Sequence, residues 1–375
     1  MERFLFRICD MKGYKIISLI VLAALAGCAK METVSAPEQE VAFVVANYAN
    51  RTKTESVTNE FTSFSSKGYL YAEGVEGAQN FFGTAGETIT YDGTSTWNPS
   101  HPYYWPKGST SYINFVSWYA NDGSDAINPD TVSETTFEIL NHTVGANDNI
   151  LIADEAWRQT ANLNEYYTTG VPTLFHHLLS RVRVNMKATL LTDPDLANVT
   201  YEVTLQNAHF EGIYQTGSLR LTNSDLNTTG TKAWTSANNN STYLWTAVSG
   251  SNTGNIAFRN TNNTVITNKT IGTTPTAIQP VRSFLPQALG DGIKMVLTYT
   301  VTTKSNGTVT SEESNVPATL VLNTFKNSSN QAITQWVPNK IYTYNIVIDP
   351  RGNEILLNPT LTSDWGINDI SATVE

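Results

Sequence analysis

The sequence predicts an all-β protein built from antiparallel β-sandwiches. Short runs rich in Val, Ile, Thr and Tyr recur along the chain, and Gly, Asn, Asp, Ser and Pro separate them. Several runs alternate, as in residues 294–301, where Met295, Leu297, Tyr299 and Val301 would share one buried face. Because many short strands occur without alternating helices, sandwiches are favoured over parallel sheets.

The individual strands follow from these runs. We predict strands at residues 41–48, 113–119, 150–152, 181–191, 201–205, 294–302, 318–322 and 341–348. Long amphipathic helical patterns are nearly absent. The best helical candidate is residues 153–164, where Ala153, Trp157 and Ala161 have helical spacing.

The composition argues against nucleic acid as a partner. The chain has 375 residues, a net charge of −10 and only 15% charged residues. Binding to phosphates gains most of its affinity from clustered Lys and Arg, which are scattered here. The sequence also lacks a nucleophile elbow, a zinc-protease motif and a phosphate-binding loop. We therefore predict no catalytic residues, no metal site, no cofactor and no enzymatic activity.

The N-terminus predicts export. Lys12 and Lys15 precede an apolar run at residues 16–26, which is the pattern of a secretory signal. This run is shorter than the roughly 20 residues that a membrane-spanning helix needs. Residues 1–27 are therefore expected to be removed. The true start is either Met1 or Met11.

Cys28 follows the signal directly. The stretch Leu25-Ala26-Gly27-Cys28 resembles the bacterial lipobox, in which the cysteine is acylated and becomes the mature N-terminus. On that resemblance Cys28 carries the lipid anchor, and more than one acyl chain would hold the protein stably on a membrane. The alternative is an ordinary signal with a chance cysteine.

The predicted domain boundary lies in "YYTTGVP", residues 166–172, where a Gly and a Pro precede a new apolar run. This divides the mature chain into an N-terminal segment at 28–51, a domain at 52–170 and a domain at 171–375. The first strand, residues 41–48, would join the first domain.

Several stretches together resemble the fimbrillin family, the lipoprotein pilus subunits of Bacteroidales. They span almost the whole mature chain in the order expected for that family. The stretches are the lipobox, "EVAFVVANYANRT", "YYWP" followed by "INFVSWYA", "NDNILIADEAW", "VPTLFHHLLSRVRVNMKA", and "WVPNKIYTYNIVI" with "SDWG" downstream.

The resemblance implies two tandem transthyretin-like β-sandwich domains and a surface fimbria assembled at the outer membrane. It also implies donor-strand exchange. An arginine-specific protease removes the first strand, and a strand from another fimbrial subunit takes its place. The implied partners are therefore other subunits, the protease, and the membrane through the lipid on Cys28.

The first strand suits this scheme by its own chemistry. Val41, Phe43 and Val45 alternate with Val44 and small alanines, so both faces are apolar and we expect deep burial. Removal of such a strand would leave an apolar slot beside unpaired backbone groups, which is a template for strand addition.

Arg51 follows that strand in a polar stretch suited to proteolysis, and no other arginine occurs between residues 28 and 157. The resemblance implies cleavage between Arg51 and Thr52. The alternative is a solvated turn residue. Lys53 offers a neighbouring cut to a lysine-specific protease.

A donor segment is expected near the C-terminus. The apolar residues Ile355, Leu356, Leu357 and Leu361 are the candidates. They could equally form a final strand that stays in its own domain, so tip and stalk positions in the fimbria both remain open.

Two other groups of residues stand out. His176 and His177 are adjacent and would face opposite sides of a strand, so core or capping roles are favoured over a metal site.

The second group comprises Tyr103, Tyr104, Trp105 and Trp118. They could form a sugar-stacking platform, but core and strand-edge packing in the first domain is favoured. The alternative function is accordingly an outer-membrane lipoprotein that binds glycans through exposed aromatics without polymerising. A third possible function is a hydrolase built on a β-sandwich, which would need a pair of acidic side chains in a cleft.

Overall fold

A computed structural model provides the structure of this chain. It describes residues 39–47, 61–72, 74–106, 111–121, 126–159, 170–222, 231–232, 235–236, 245–247 and 255–365. The chain divides into two compact units, Met1–Glu40 and Val41–Glu375, and every described strand lies in the second unit.

The described residues confirm the all-β prediction. Their only helical elements are two short 3₁₀-helices, Pro129–Thr131 and Leu322–Thr324. The strands are β1 (Phe43–Asn47), β2 (Ser63–Tyr71), β3 (Gln79–Asn80), β4 (Glu87–Tyr91), β5 (Trp97–Pro99), β6 (Tyr112–Ala120), β7 (Thr136–Thr143), β8 (Ile150–Ala153), β9 (Glu155–Gln159), β10 (Val171–His177), β11 (Ser180–Ala188), β12 (Val199–Glu211), β13 (Thr216–Thr222), β14 (Thr231–Lys232), β15 (Thr235–Ser236), β16 (Thr246–Ala247), β17 (Ile256–Ala257), β18 (Lys269–Ile271), β19 (Thr276–Phe284), β20 (Gln287–Ala288), β21 (Lys294–Ser305), β22 (Thr308–Val321), β23 (Gln335–Trp336), β24 (Lys340–Asp349) and β25 (Glu354–Asp364).

The first sheet closes on itself. Its ten strands run in the order β14-β9-β6-β8-β10-β1-β5-β4-β2-β3, and an additional pairing between β6 and β2 completes a ring. We call this the closed sheet. Its interior is an aromatic-rich core that includes Val41, Phe43, Phe64, Trp97 and Phe115.

Two further sheets form a β-sandwich. One has the order β19-β11-β24-β25, and the other has the order β17-β12-β21-β22 with β18 beside β12. The core between them contains the inward residues Val184 and Tyr344 of the first sheet and Leu205 of the second. Met295, Leu297, Tyr299 and Val301 of β21 all lie in this core, as the alternation predicted.

A third core lies outside the closed sheet, against a smaller sheet in which β13 pairs with β7, β15 and β16. Strands β6 and β8 serve both cores, because successive side chains face opposite sides of a strand. In β6, Phe115 points into the closed sheet while Val116 and Trp118 belong to the outer core. In β8, Leu151 and Ile152 divide in the same way.

Two local predictions differ from the structure. The helix predicted from residue 153 is wrong over its described part, because Glu155–Gln159 forms strand β9. Strand β9 pairs antiparallel with β6, and this pairing buries Ala156. The expected antiparallel order is also incomplete, since β1 pairs parallel with β10 and β11 pairs parallel with β24.

The strand that follows the predicted domain boundary belongs to the closed sheet. Strand β10 begins at Val171 and pairs with β1 and β8. The division of the chain into two domains between residues 170 and 171 stays a prediction. Strand β10 is the parallel neighbour of β1, the first strand of the unit.

Across the part of the chain that the structure describes, none of the helices has the length and apolar character needed to span a membrane.

Candidate functional site

Strand β1 is an interior strand of the closed sheet. It runs parallel to β10, with Phe43 opposite Val171 and Asn47 opposite Phe175. On its other side it meets β5 at a single position, where Phe43 lies opposite Trp97. The first strand of the unit therefore lies between two strands that come later in the sequence.

Backbone hydrogen bonds hold the start of this segment. The Val41 N–H donates to the Tyr103 carbonyl at 2.8 Å, and the Val171 N–H donates to the Ala42 carbonyl at 2.7 Å. Removing the segment would leave both partner groups unpaired at the gap.

Phe43 is the most enclosed side chain of the segment, with none of its surface exposed. Its ring makes edge-to-face contacts with Phe115, at a centroid distance of 5.2 Å, and with Phe64, at 5.7 Å. Phe82 completes the surroundings at 6.3 Å. We call the space lined by Phe64, Phe82 and Phe115 the Phe43 pocket.

The other predicted members of the strand are less uniform. Val41 is buried, as expected, whereas Val44 and Val45 are half-buried. Val45 still packs against the core of the closed sheet. The strand therefore has one strongly buried face, and its removable character stays a prediction.

Gly170 lies directly against β1. Its φ is +75°, and a Cβ placed on it would lie 3.0 Å from Val44 Cγ2 and 3.1 Å from the Ala42 carbonyl oxygen. Only glycine combines that backbone conformation with such a close approach. The "TTGVP" stretch carried this signal, although the sequence alone assigned it to a domain boundary.

The chain re-enters the closed sheet at Phe61. This buried ring stacks on Tyr119 at 4.5 Å and contacts Phe175 at 5.3 Å. Residues 48–60, which link β1 to Phe61, lie outside the described residues, and so do Cys28, Arg51 and Thr52. Lipidation at Cys28 and cleavage at Arg51 therefore stay predictions.

The candidate donor residues lie in β25, which pairs antiparallel with β24 at the edge of the sandwich. Ile355 packs against the sandwich core. Leu356 and Leu361 are 43% and 57% exposed, and Leu357 is exposed as well. In this structure the segment is a resident edge strand, so its donor role stays a prediction.

Trp365 holds the end of β25. Its buried indole stacks on the His177 imidazole at a centroid distance of 3.8 Å, and the ring planes are inclined by 12°. The Arg181 guanidinium lies 4.0 Å from the indole centroid, and the backbone N–H of Trp365 donates to the Asn339 carbonyl at 2.9 Å. The sequence alone gave no role to this residue beyond its place in "SDWG".

The two adjacent histidines are core residues. Asp154 Oδ1 lies 2.7 Å from His176 Nε2, and Asn149 Oδ1 lies 2.8 Å from His177 Nδ1. Burial, followed by the positive charges of Arg181 and His176, holds the pKa of His177 well below its ordinary value. No group of three or more metal-ligating side chains occurs among the described residues.

The four candidate sugar-stacking aromatics do not form a platform. Trp105 lies in the core of the closed sheet and Trp118 lies in the outer core. Tyr103 packs against the closed-sheet core, and Tyr104 alone is exposed, at 40%. Packing, which the sequence favoured for these residues, is confirmed for Trp105 and Trp118.

One surface cluster has the residue types of a catalytic triad but not its geometry. The Ser100 hydroxyl donates to Glu87, and His101 Nδ1 lies 3.2 Å from Ser100 Oγ and 3.4 Å from Glu87 Oε2. A proton relay needs the serine and the carboxylate on different ring nitrogens. Here both face the same nitrogen, so this cluster does not activate the serine.

The fold and the site define a β-sandwich protein whose first strand completes a closed sheet and lies beside strands from later in the chain. The fimbrillin-like family model matches residues 51–365. The chain belongs to the fimbrillin-like family.

A solved structure supports the fold. A fimbrial protein from Bacteroides vulgatus aligns with a TM-score of 0.51 and 14% identity, over 87% of this chain and 99% of that chain. A proposed cell adhesion protein from Bacteroides uniformis aligns with a TM-score of 0.46 and 13% identity, over 87% and 98%. A fimbrial assembly protein from Parabacteroides distasonis aligns with a TM-score of 0.35 and 11% identity, over 86% and 99%. A search of curated proteins finds no match to the chain.

Proposed function

We propose that the protein is a structural, non-enzymatic subunit of a cell-surface fimbria and that it polymerises by exchange of its first strand. The observation that carries this proposal is the place of β1 in the closed sheet. It is an interior strand, with β10 and β5 as neighbours. Membership of the fimbrillin-like family supports the same role.

The energetics favour replacement of β1 over its simple loss. Burying one large apolar side chain is worth about 1.5–3 kcal/mol. Val41 and Phe43 are buried and Val44 and Val45 are half-buried. Their loss would therefore take several kcal/mol from a typical domain stability of about 5–15 kcal/mol. The opened state needs a new strand to restore both the core and the hydrogen bonds.

Chain connectivity allows β1 to be released by one cut. Strand β1 continues into residues 48–60, and the chain rejoins the closed sheet at buried Phe61. Cleavage between Arg51 and Thr52 by an arginine-specific protease would separate β1 covalently from the rest of the closed sheet. Only hydrogen bonds and side-chain packing would then retain it.

The lipobox at residues 25–28 supports export as a lipoprotein, with acylated Cys28 as the anchor in the outer membrane until assembly. The family and this motif together support a location at the outer membrane and in a surface fimbria. We also propose that the closed sheet and the sandwich correspond to the two tandem transthyretin-like domains that the resemblance implies.

A C-terminal segment would donate the replacement strand to a neighbouring subunit. If Ile355, Leu356, Leu357 and Leu361 are the donor residues, β25 must first separate from β24 and Trp365 must leave its stack. A donor located in residues 366–375 would leave both in place. Deleting residues 366–375 separates the two routes, because only the second route would lose polymerisation.

The cleavage step has a direct test. A chain beginning at Ala29, which keeps every described residue, is treated with an arginine-specific protease. We expect a fragment that begins at Thr52. A ladder of higher oligomers that resist denaturation by detergent should then appear on gel electrophoresis. Arg51→Ala should abolish both the fragment and the ladder.

Arg351→Ala is the matched control, because Arg351 lies on an exposed turn where an arginine-specific protease would also have access. This variant should still form the ladder. A ladder that persists in Arg51→Ala would contradict cleavage at Arg51. Cleavage at Arg51 without any oligomer would contradict polymerisation.

A further inference from the structure

We propose that the Phe43 pocket selects the replacement strand and sets its register. The selected strand is an extended segment of another subunit that places an aromatic side chain in this pocket. This inference rests on the proposed strand exchange and adds the chemistry by which the slot recognises its occupant.

The pocket is specific because aromatic rings enclose one position on three sides. Phe115 and Phe64 present their edges or faces to the Phe43 ring at interplanar angles of 79° and 82°. Aromatic pairs gain from this geometry beyond the area that they bury. An aliphatic side chain at the same position would keep part of the burial but lose the ring contacts.

The opposite face of the strand discriminates little. Val44 lies on that face and is half-buried, so a smaller side chain at its position leaves no enclosed cavity. Phe43 also lies at the only position where β1 pairs with both neighbours, Val171 on one side and Trp97 on the other. An aromatic side chain seated there would align the incoming backbone with both strands at once.

Gly170 limits how the backbone can sit in the slot. A Cβ at residue 170 would approach the Ala42 carbonyl oxygen to 3.1 Å and the Phe43 carbonyl carbon to 3.1 Å. These are backbone atoms, so any occupant in this register meets the same constraint. Gly170 therefore affects every strand that occupies the slot, whatever its sequence. The Phe43 pocket, in contrast, selects the side chain at one position of that strand.

The chain's own C-terminal candidates lack the required side chain. Residues 355–361 and residues 366–375 contain no Phe, Tyr or Trp. In the second segment, Ile370, Ala372 and Val374 alternate as a strand would, but the largest of them is Ile. Trp365, which lies between these two segments, is buried in its stack on His177. A second copy of this chain would therefore fill the slot more weakly than a subunit whose donor strand carries a free aromatic side chain.

Peptide replacement tests this selectivity. In the chain beginning at Ala29, residues 53–58 are replaced by the site of an unrelated sequence-specific protease, so that the cut does not depend on Arg51. After cleavage, fluorescein-labelled peptides are added and their uptake is followed by fluorescence anisotropy. The peptides are residues 39–50, the same peptide with Phe43→Ala, the same peptide with Val44→Ala, and residues 366–375.

We expect the Phe43→Ala peptide to bind about 100-fold more weakly than the peptide of residues 39–50, because it leaves an enclosed cavity. The Val44→Ala peptide should bind within about threefold of it, and the peptide of residues 366–375 should bind about tenfold more weakly or worse. When the cleaved chain carries Gly170→Ala, all peptides should bind more weakly than they bind the cleaved chain without this substitution, and by a similar factor.

Equal binding of the Phe43→Ala peptide and the peptide of residues 39–50 would overturn this inference and leave strand exchange standing. Binding of residues 366–375 as tight as that of residues 39–50 would overturn it as well. If no peptide is taken up, strand exchange itself fails, and this inference fails with it.

The uncut chain provides a second measurement. The Val171 N–H donates to the Ala42 carbonyl, so its hydrogen exchange reports opening of β1. Phe43→Ala should speed this exchange by about tenfold or more, and Val44→Ala should change it by less than about threefold. Equal exchange rates in the two variants would overturn the inference.

Discussion

The Trp365 indole stacks on the His177 imidazole at a centroid distance of 3.8 Å. The contact joins the end of β25 to the end of β10, and β10 is the parallel neighbour of β1. The C-terminal end of the described chain therefore packs on the strand that borders the candidate exchange slot. Arg181, at 4.0 Å from the indole centroid, closes the other side of this stack.

Trp365→Ala should lower the free energy of unfolding by about 3–5 kcal/mol, because it leaves a cavity in the outer core and removes the cation–π contact. The measurement is denaturant unfolding followed by circular dichroism. Tyr104→Ala is the control, since Tyr104 is 40% exposed, and it should cost less than about 1 kcal/mol. Equal losses in the two variants would contradict an anchoring role for Trp365.

The buried His177 should make the protein less stable in mild acid. Its pKa lies well below the ordinary value because burial disfavours the imidazolium, and Arg181 and His176 add like charge. The unfolded chain takes up this proton near pH 6.5, whereas the folded chain does not. The contribution of His177 is therefore complete above about pH 6.5 and declines as the pH falls below it, by up to about 1.4 kcal/mol per pH unit.

His177→Gln should remove this part of the pH dependence. The test compares the free energy of unfolding at pH 7.5 and pH 5.5 for each protein relative to itself, so that the packing change caused by the substitution cancels. The decrease between the two pH values should be smaller in the variant. An identical decrease in the variant and the unsubstituted protein would show that His177 does not contribute.

Lys67→Met should cost about 1–3 kcal/mol of stability, because it removes two hydrogen bonds that tie a loop to β2. Lys67 Nζ donates to the Pro129 carbonyl at 2.8 Å and to the Val132 carbonyl at 3.1 Å. Burial lowers the pKa of this ammonium, and nearby Asp130 offsets part of the effect. The readout is again denaturant unfolding.

Lys304→Met provides the comparison for Lys67. Lys304 forms an ion pair with Glu202 at 2.7 Å, but both side chains are partly exposed. Exposed pairs are worth about 0–1 kcal/mol, so this variant should stay close to the unsubstituted protein. A larger loss from Lys304→Met than from Lys67→Met would reverse the expected order.

Gly212→Ala should destabilise the sandwich by more than about 1 kcal/mol, because the left-handed backbone and a steric clash act together. Gly212 has a φ of +76°, and a Cβ there would lie 2.4 Å from the Gly292 carbonyl oxygen. Gly290→Ala is the matched control, since nothing lies within 4 Å of its Cβ position. The control should change the melting temperature by little, and a similar shift in both variants would contradict the clash.

Local pattern predicted much of the strand content. The alternation in residues 294–301 placed Met295, Leu297, Tyr299 and Val301 on one buried face, and the structure confirms this. Burial of Trp105 was likewise favoured by the sequence. The first of these successes follows from a short-range rule, because the side-chain period of a strand is a property of neighbouring residues alone.

The failures concern residues whose state depends on distant partners. The spacing of Ala153 and Trp157 fitted a helix, but residues 155–159 pair with β6 and with β14. The sequence assigned Gly170 to a domain boundary, which stays a prediction, and gave no sign of the close approach of Gly170 to β1 that the structure shows. The local pattern of a strand does not reveal which other strand lies beside that strand in the sheet.

The sequence by itself determined that the chain is all-β and that its first strand is apolar, and it predicted an exported lipoprotein. The tertiary structure decided that this strand lies between β10 and β5, that Phe43 enters an aromatic pocket and that Trp365 packs on His177. The physical reason is the range of the interactions. Alternation and turn chemistry act over a few residues, whereas strand neighbours and enclosed pockets arise only when distant segments meet.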